Sequence, residues 1–358
     1  MTVRGARRAT IVAATLMPVM TLAACGGDEG GGGAAGGGDG ECGSVSLRLS
    51  HQWPAATGGE DSDFRSELAQ QFADKVAEQT DDQVKVQIFP NSSLVESTEQ
   101  YDAMMQGSVD MSVFPLDYAS GRVPDFSVTL MPALIRNHEQ AQAWQDAEIG
   151  KRLEEVLDEN GIKIVTWVWN AGAVGTKGDP VVSPDDVKSG MTMRAAGSYV
   201  EKMLEDAGAG ISSLPSNEIY TAMQTGVLDA AVTSTGSFAS YNLQEQVKSY
   251  TSPTENTFWF MFEPLIISNE SFDQLCPEQQ DAVMAVGEEL QEFAYTASEE
   301  DDTRVEEIFS DAGVEVTTMD DEAFSQWQEL AQKQWDAYAT SAPNGQELMD
   351  LAKQATEG

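Results

Sequence analysis

Two stretches of this 358-residue chain, 119 positions apart, carry the same pattern: Glu99, Tyr101, Ala103, Met104, Gly107, Val109 and Asp110 recur as Glu218, Tyr220, Ala222, Met223, Gly226, Leu228 and Asp229. In each copy the apolar positions keep helical spacing, a glycine stands where a helix would end in a left-handed cap, and an apolar run suited to a strand follows. A duplicated helix–strand unit points to two similar α/β halves.

The segment ahead of the first copy fits such a half. Val45, Leu47 and Leu49 alternate as a strand, Phe64, Leu68, Phe72 and Val76 lie on one helical face, and Val84, Val86 and Ile88 alternate again. Strand, helix and strand of these lengths predict a right-handed βαβ unit and a parallel sheet. His51, Gln52 and Trp53 then fall at the carboxyl end of the first strand, where open α/β sheets meet their ligands. Further on, residues 161–170 read as a buried strand with Trp167 and Trp169, and the glycine-rich residues 171–178 as a hinge. Residues 257–262, with Trp259 and Phe260, form a returning aromatic strand. Residues 277–309 keep one long helical pattern, residues 314–318 a late strand, and residues 322–338 a closing amphipathic helix. The acidic runs 299–302 and 320–322 are expected as solvated caps.

Met191 and Met193 alternate into Arg194, and Gly197-Ser198 break the run before Val200, Met203 and Leu204 resume at helical spacing. Arg194 is thus expected at a strand end, offering a planar fork of donors that fits a carboxylate. The chain has 59 acidic residues against 20 basic ones, so a cation set between two apolar turns is a rare placement.

Pro184, Asp186, Val187, Lys188, Gly190, Met193 and Arg194, followed by PSNEIYTAMQTGVLDAA, resemble the signature region of solute-binding proteins of tripartite ATP-independent periplasmic (TRAP) transporters, in their dicarboxylate-binding branch. The likeness runs from about residue 45 to 338. It implies an α/β fold of the two-lobe periplasmic-binding-protein type, with lobes joined by crossing strands and one long bridging helix. It also implies that Arg194 clamps a solute carboxylate, that the end of the first strand faces the solute, and that the partners are TRAP membrane subunits. The lobes are expected at 45–168 with 262–300, and at 169–261 with 301–340, followed by a tail at 341–358.

The turns after the two echoes, Phe114 to Tyr118 and Thr233-Ser234-Thr235-Gly236-Ser237-Phe238, are expected to face each other across the cleft. The second is either a plain hydroxyl-rich loop or a hydrogen-bonding surface for a carboxylate or hydroxyl. Trp169 and Trp259 either fill the core or stack on a planar solute. His51 is either a paired loop histidine or a solute contact. Many family members have a second cleft arginine in the preceding strand, where this chain has Val174, and their Glu and Asn or Pro after Asp-Gly are missing from Asp229-Ala230-Ala231-Val232. A single cationic clamp favours a monocarboxylate or zwitterion over a dicarboxylate or sialic-acid-type solute. Its removal in Arg194→Ala is expected to abolish binding with little change in melting temperature.

Arg4, Arg7 and Arg8 precede an apolar run at 9–22, and Leu22-Ala23-Ala24-Cys25 resembles a lipoprotein cleavage site, so residues 1–24 read as an export signal and Cys25 as the acylated residue. Residues 25–44, rich in glycine, read as a tether. These features place the protein outside the cell membrane, lipid-anchored at its outer face or in a periplasm; a monomer is expected. Cys42 and Cys276 either form a disulfide closing a long loop or remain one free and one buried thiol.

A net charge of −39 excludes nucleic acid as a partner, since phosphate binding needs clustered Lys and Arg. No cofactor or metal is expected, with only His51 and His138 available and no ligand spacing. The sequence holds no GxSxG, HExxH or phosphate-cradling loop, which leaves an extracellular hydrolase without chemistry. A binding protein feeding a receptor kinase would use the same residues as a transporter component.

Overall fold

The computed structural model describes residues 42–59 and 62–356, so the export signal, Cys25 and most of the tether lie outside the described residues. Twelve strands are described: β1 Val45–Ser50, β2 Val84–Phe89, β3 Met111–Val113, β4 Ile162–Thr166, β5 Trp169–Thr176, β6 Thr192–Arg194, β7 Gly210–Ile211, β8 Ala230–Ser234, β9 Ser249–Ser252, β10 Phe260–Phe262, β11 Leu265–Ser268 and β12 Glu315–Thr318. They form two sheets, ordered β2-β1-β3-β11-β4 and β12-β9-β5-β8-β6-β7, with β10 paired to the start of β5.

β1 lies parallel between β2 and β3, as the βαβ reading requires. The intervening helix Phe64–Gln79 starts because Asp63 accepts from the Arg65 amide at 3.0 Å, and ends where the Thr80 hydroxyl donates to the Val76 carbonyl at 2.7 Å. Phe64, Leu68, Phe72 and Val76 are buried against Leu47, Leu49 and Val84. Each such side chain contributes about 1.5–3 kcal/mol of burial.

The two echoed stretches adopt one structure. Helices Gln100–Met105 and Ile219–Gln224 each end on a glycine in the left-handed region, Gly107 at φ 67° and Gly226 at φ 79°, a conformation that costs glycine little. Asp110 then binds the Arg48 amide at 2.7 Å, and Asp229 binds the Thr192 amide at 2.9 Å. Ser50 pairs with Ser112 just as Arg194 pairs with Ala231, so β1 and β6 are equivalent strands and Ser50 occupies in one half the place of Arg194 in the other.

The chain passes between the sheets at Trp167–Val168 and again at Glu263–Pro264, where the Glu263 amide donates to the Val168 carbonyl at 2.8 Å. The glycine-rich stretch expected as a hinge is instead the body of β5: residues 172–176 pair with β8 and β9 and are buried, because small side chains let the strand sit between them. The long helical pattern breaks at Leu290 into helices Pro277–Glu289 and Gln291–Asp311. The first lies directly on β4, and a Cβ at Gly287 would stand 2.2 Å from the Val165 carbonyl oxygen. The second runs from Gln291, bonded to Trp167, to Phe309, packed on Tyr250 of the second sheet.

Two further expectations are corrected. Asp301 and Asp302 are no solvated cap but 5% and 4% exposed, because Arg304, Thr235 and His138 pair them. The supposed tail holds the helix Gly345–Thr356, whose Leu348, Met349 and Ala352 are buried at helical spacing. Cys42 and Cys276 form a disulfide, with Cα atoms 5.9 Å apart, which ties the start of β1 to the Pro277–Glu289 helix.

Candidate functional site

Arg194 ends β6, and Gly197 at φ 91° turns the chain into the helix Ser198–Asp206. Its side chain is 1% exposed. Nε donates to the Leu214 carbonyl at 2.9 Å, Nη1 to the Val232 carbonyl at 2.8 Å and Nη2 to the Tyr118 hydroxyl at 3.3 Å. A guanidinium carries five N–H donors, so these neutral partners leave one N–H on each terminal nitrogen. No carboxylate is bonded to it among the described residues. It lines a cavity of about 310 Å³ together with Asp117, Tyr118 and Glu201.

A second buried arginine lies beneath the crossing strands. Arg65 is fully enclosed and grips Asp63 with Nε at 2.9 Å and Nη2 at 2.6 Å, while Nη1 reaches Glu263 at 2.7 Å and Ser234 at 2.9 Å. Its face stacks on Trp53, with Cζ 3.9 Å from the ring centre, and Asn170 donates to Glu263 at 2.6 Å. Burial would raise Asp63, but the two-pronged contact with Arg65 outweighs it and holds that carboxyl below its usual range. Glu263 receives one prong, so burial prevails and its pKa is raised, although Arg65 and Arg194 both oppose the rise. The charge of Arg65 is therefore already met by two carboxylates.

The structure distributes the other expected residues unevenly. Tyr118 joins Arg194, and its hydroxyl also accepts from the Ser216 amide at 3.3 Å; Phe114 lies edge-on to the Tyr118 ring. His51 is wholly buried near Trp53, and burial lowers its pKa to about 4, so it is neutral at ordinary pH. The turn after β8 meets the Trp53–Arg65 segment: Ser234 binds Arg65, and Ser237 accepts from the Trp53 indole at 3.3 Å. Thr233 pairs with Ala173 inside the sheet. Phe238 packs edge-on to Tyr250 and Phe309. Trp169 turns its ring onto Trp144 and Phe262, and Trp259 covers Gly172 with its indole donating to the Ala196 carbonyl.

Asp63, Arg65, Asp117, Asn170 and Glu263 were not singled out from sequence. One signal was available: a helix start repels cations through its dipole, so Arg65 in a first turn needs a compensating anion.

Among the described residues, Ser50 Oγ, both His51 ring nitrogens, Gln52 Oε1, Gln100 Nε2, Asn170 Oδ1 and Ser216 Oγ are buried without a protein partner. Buried polar atoms are ordinarily paired. Ser50, His51 and Gln52 follow one another at the end of β1, Gln100 touches Ser112 beside them, and Ser216 adjoins Tyr118. These residues, Asn170 apart, lie at or beside the two equivalent strand ends.

Residues 56–341 match the bacterial extracellular solute-binding proteins of family 7. A solute-binding protein of Albidiferax ferrireducens is 42% identical over 310 residues, spanning 86% of this chain and 91% of the relative. Among solved structures, a TRAP periplasmic solute-binding protein from Rhodoferax ferrireducens with bound malonate aligns with a TM-score of 0.84 at 41% identity, covering 87% of this chain and 98% of that one. Another, from Sulfitobacter sp. with bound β-D-galacturonate, gives 0.78 at 25% identity, covering 87% and 100%.

Proposed function

Because the chain belongs to family 7 of the bacterial extracellular solute-binding proteins, the TRAP type, we propose that it captures a small organic acid by an arginine–carboxylate clamp at Arg194 and hands it to TRAP membrane subunits. The observation that carries this reading is the bonding of Arg194: a fully buried guanidinium held by neutral oxygens, with donors to spare. In a site closed to water such a cation attracts a carboxylate far more strongly than at a surface.

The solute favoured is a monocarboxylate or a zwitterion. Malonate in one relative has two carboxylates and galacturonate in the other has one; a single carboxylate is what they share. In this chain Arg65 is answered by Asp63 and Glu263, and the position of a second cleft arginine is Val174, buried between Val232 and Thr251. A second solute carboxylate in the cavity lined by Arg194 would meet Asp117 and Glu201 there without a second cation to offset it. Calorimetric titration of the protein with monocarboxylates, zwitterionic acids and dicarboxylates is expected to give dissociation constants at least about tenfold weaker for the dicarboxylates, the scale of one unmet charge. Succinate or malonate binding tighter than every single-carboxylate solute would refute the preference.

We further propose that the protein is carried as a lipoprotein through Cys25, supported by the basic start, apolar run and Leu-Ala-Ala-Cys boundary. Two or more acyl chains suffice for stable anchoring. Expression with labelled palmitate should mark the wild-type protein and leave Cys25→Ala unlabelled and released from membranes; equal labelling of both rules out this site.

A further inference from the structure

One buried carboxylate is unused by the clamp. Asp117, in the short helical turn Leu116–Ala119 after β3, is 6% exposed, and among the described residues its carboxylate has no hydrogen-bond partner. It lines the cavity that Arg194 also lines, and the neighbouring acid there is Glu201, which accepts from the Ser213 hydroxyl at 2.5 Å.

We propose that Asp117, with Glu201, forms a cation subsite in the Arg194 cavity, so that the accepted solute is a zwitterion: a carboxylate bearing a positively charged nitrogen. This rests on the reading of Arg194 as the carboxylate clamp and goes beyond it by assigning the other end of the solute. The remaining cationic side chain near the strand ends, Arg65, is fully engaged by Asp63 and Glu263 and cannot serve Asp117. A carboxylate withdrawn from water without a counter-charge is costly, and the cost is relieved when a ligand brings the cation. Burial first, and then the Glu201 charge, push Asp117 up to about 7; burial raises Glu201 as well, against the opposing charges of Arg194 and Lys202, so the cavity sets two acids against the one guanidinium that lines it. A purely anionic solute adds to that excess, whereas an ammonium or iminium group removes it. Tyr118, Thr98, Ser198 and Ser213 are the neutral polar residues that line the same cavity.

Calorimetry on the whole protein with matched probes separates the outcomes: 4-aminobutyrate against succinate, and proline against pyroglutamate, for the wild type, Asp117→Asn, Glu201→Gln and Arg194→Lys. The expected pattern is preference for the ammonium-bearing member of each pair. Asp117→Asn should weaken the zwitterion and strengthen the anion, each by about tenfold or more, as removal of one buried charge partner does. Arg194→Lys should weaken both members. Wild-type protein that prefers succinate and pyroglutamate overturns the subsite, as does an Asp117→Asn protein with unaltered selectivity. If Arg194→Lys also binds normally, it is the clamp itself that fails. Glu201→Gln provides a second, half-buried position for the same charge test should Asp117→Asn melt early.

Discussion

Replacing Arg194 with lysine is expected to weaken solute binding by at least about a hundredfold while leaving the protein folded, because lysine keeps the charge and loses the planar fork. The alanine variant is a poorer probe than the sequence alone implies. Arg194 also satisfies the buried carbonyls of Leu214 and Val232, and each carbonyl left without a donor costs about 1–3 kcal/mol. Arg194→Ala should therefore lose binding and also melt several degrees lower, against the expectation of an unchanged melting temperature. Lysine can still reach one of those oxygens, so its melting temperature should fall less. Titration and thermal melts of the two variants side by side check this. A lysine variant with wild-type affinity would remove the bidentate clamp from consideration.

The second large effect is on stability. Arg65→Ala leaves Asp63 and Glu263 buried with no counter-charge and is expected to destabilise the protein by about 3–5 kcal/mol at neutral pH. The damage comes from the stranded carboxylates and not from the missing contacts alone. Combining Arg65→Met with Asp63→Asn and Glu263→Gln should then recover most of the loss, since an uncharged set needs no ion partner. Urea unfolding of the single and triple variants measures both. A single variant within about 1 kcal/mol of wild type, or a triple variant no better than the single, contradicts the account given of this cluster.

Much of the fold was legible because it rests on local periodicity. The alternation at Val45, Leu47 and Leu49, the stripe Phe64, Leu68, Phe72 and Val76, and the echo ending on Gly107 and Gly226 each fix an element from nearby residues alone. Arg194 at a strand end was legible for the same reason. The glycine-rich run misled, since glycine both loosens a loop and allows close strand packing, and only the neighbours Trp259 and Phe238, which press on Gly172 and Gly175, decide which. Trp169 and Asn170 show the limit most plainly. Adjacent residues of a strand face opposite sides, and sequence could not say that the tryptophan enters the core while the asparagine meets Glu263. The Asp63–Arg65–Glu263 cluster joins positions about 200 residues apart, and no local pattern records such a pairing.

The equivalence of β1 and β6 also bears on how cargo is presented. Two copies of one unit set mouth to mouth would hold a molecule with two like ends and could not tell head from tail. Here one copy ends in Ser50 and its counterpart ends in Arg194, so the two equivalent strand ends differ in charge. With Arg194 as the proposed clamp, a guest would enter with a fixed heading, and every loaded molecule would offer a receiving permease the same end first.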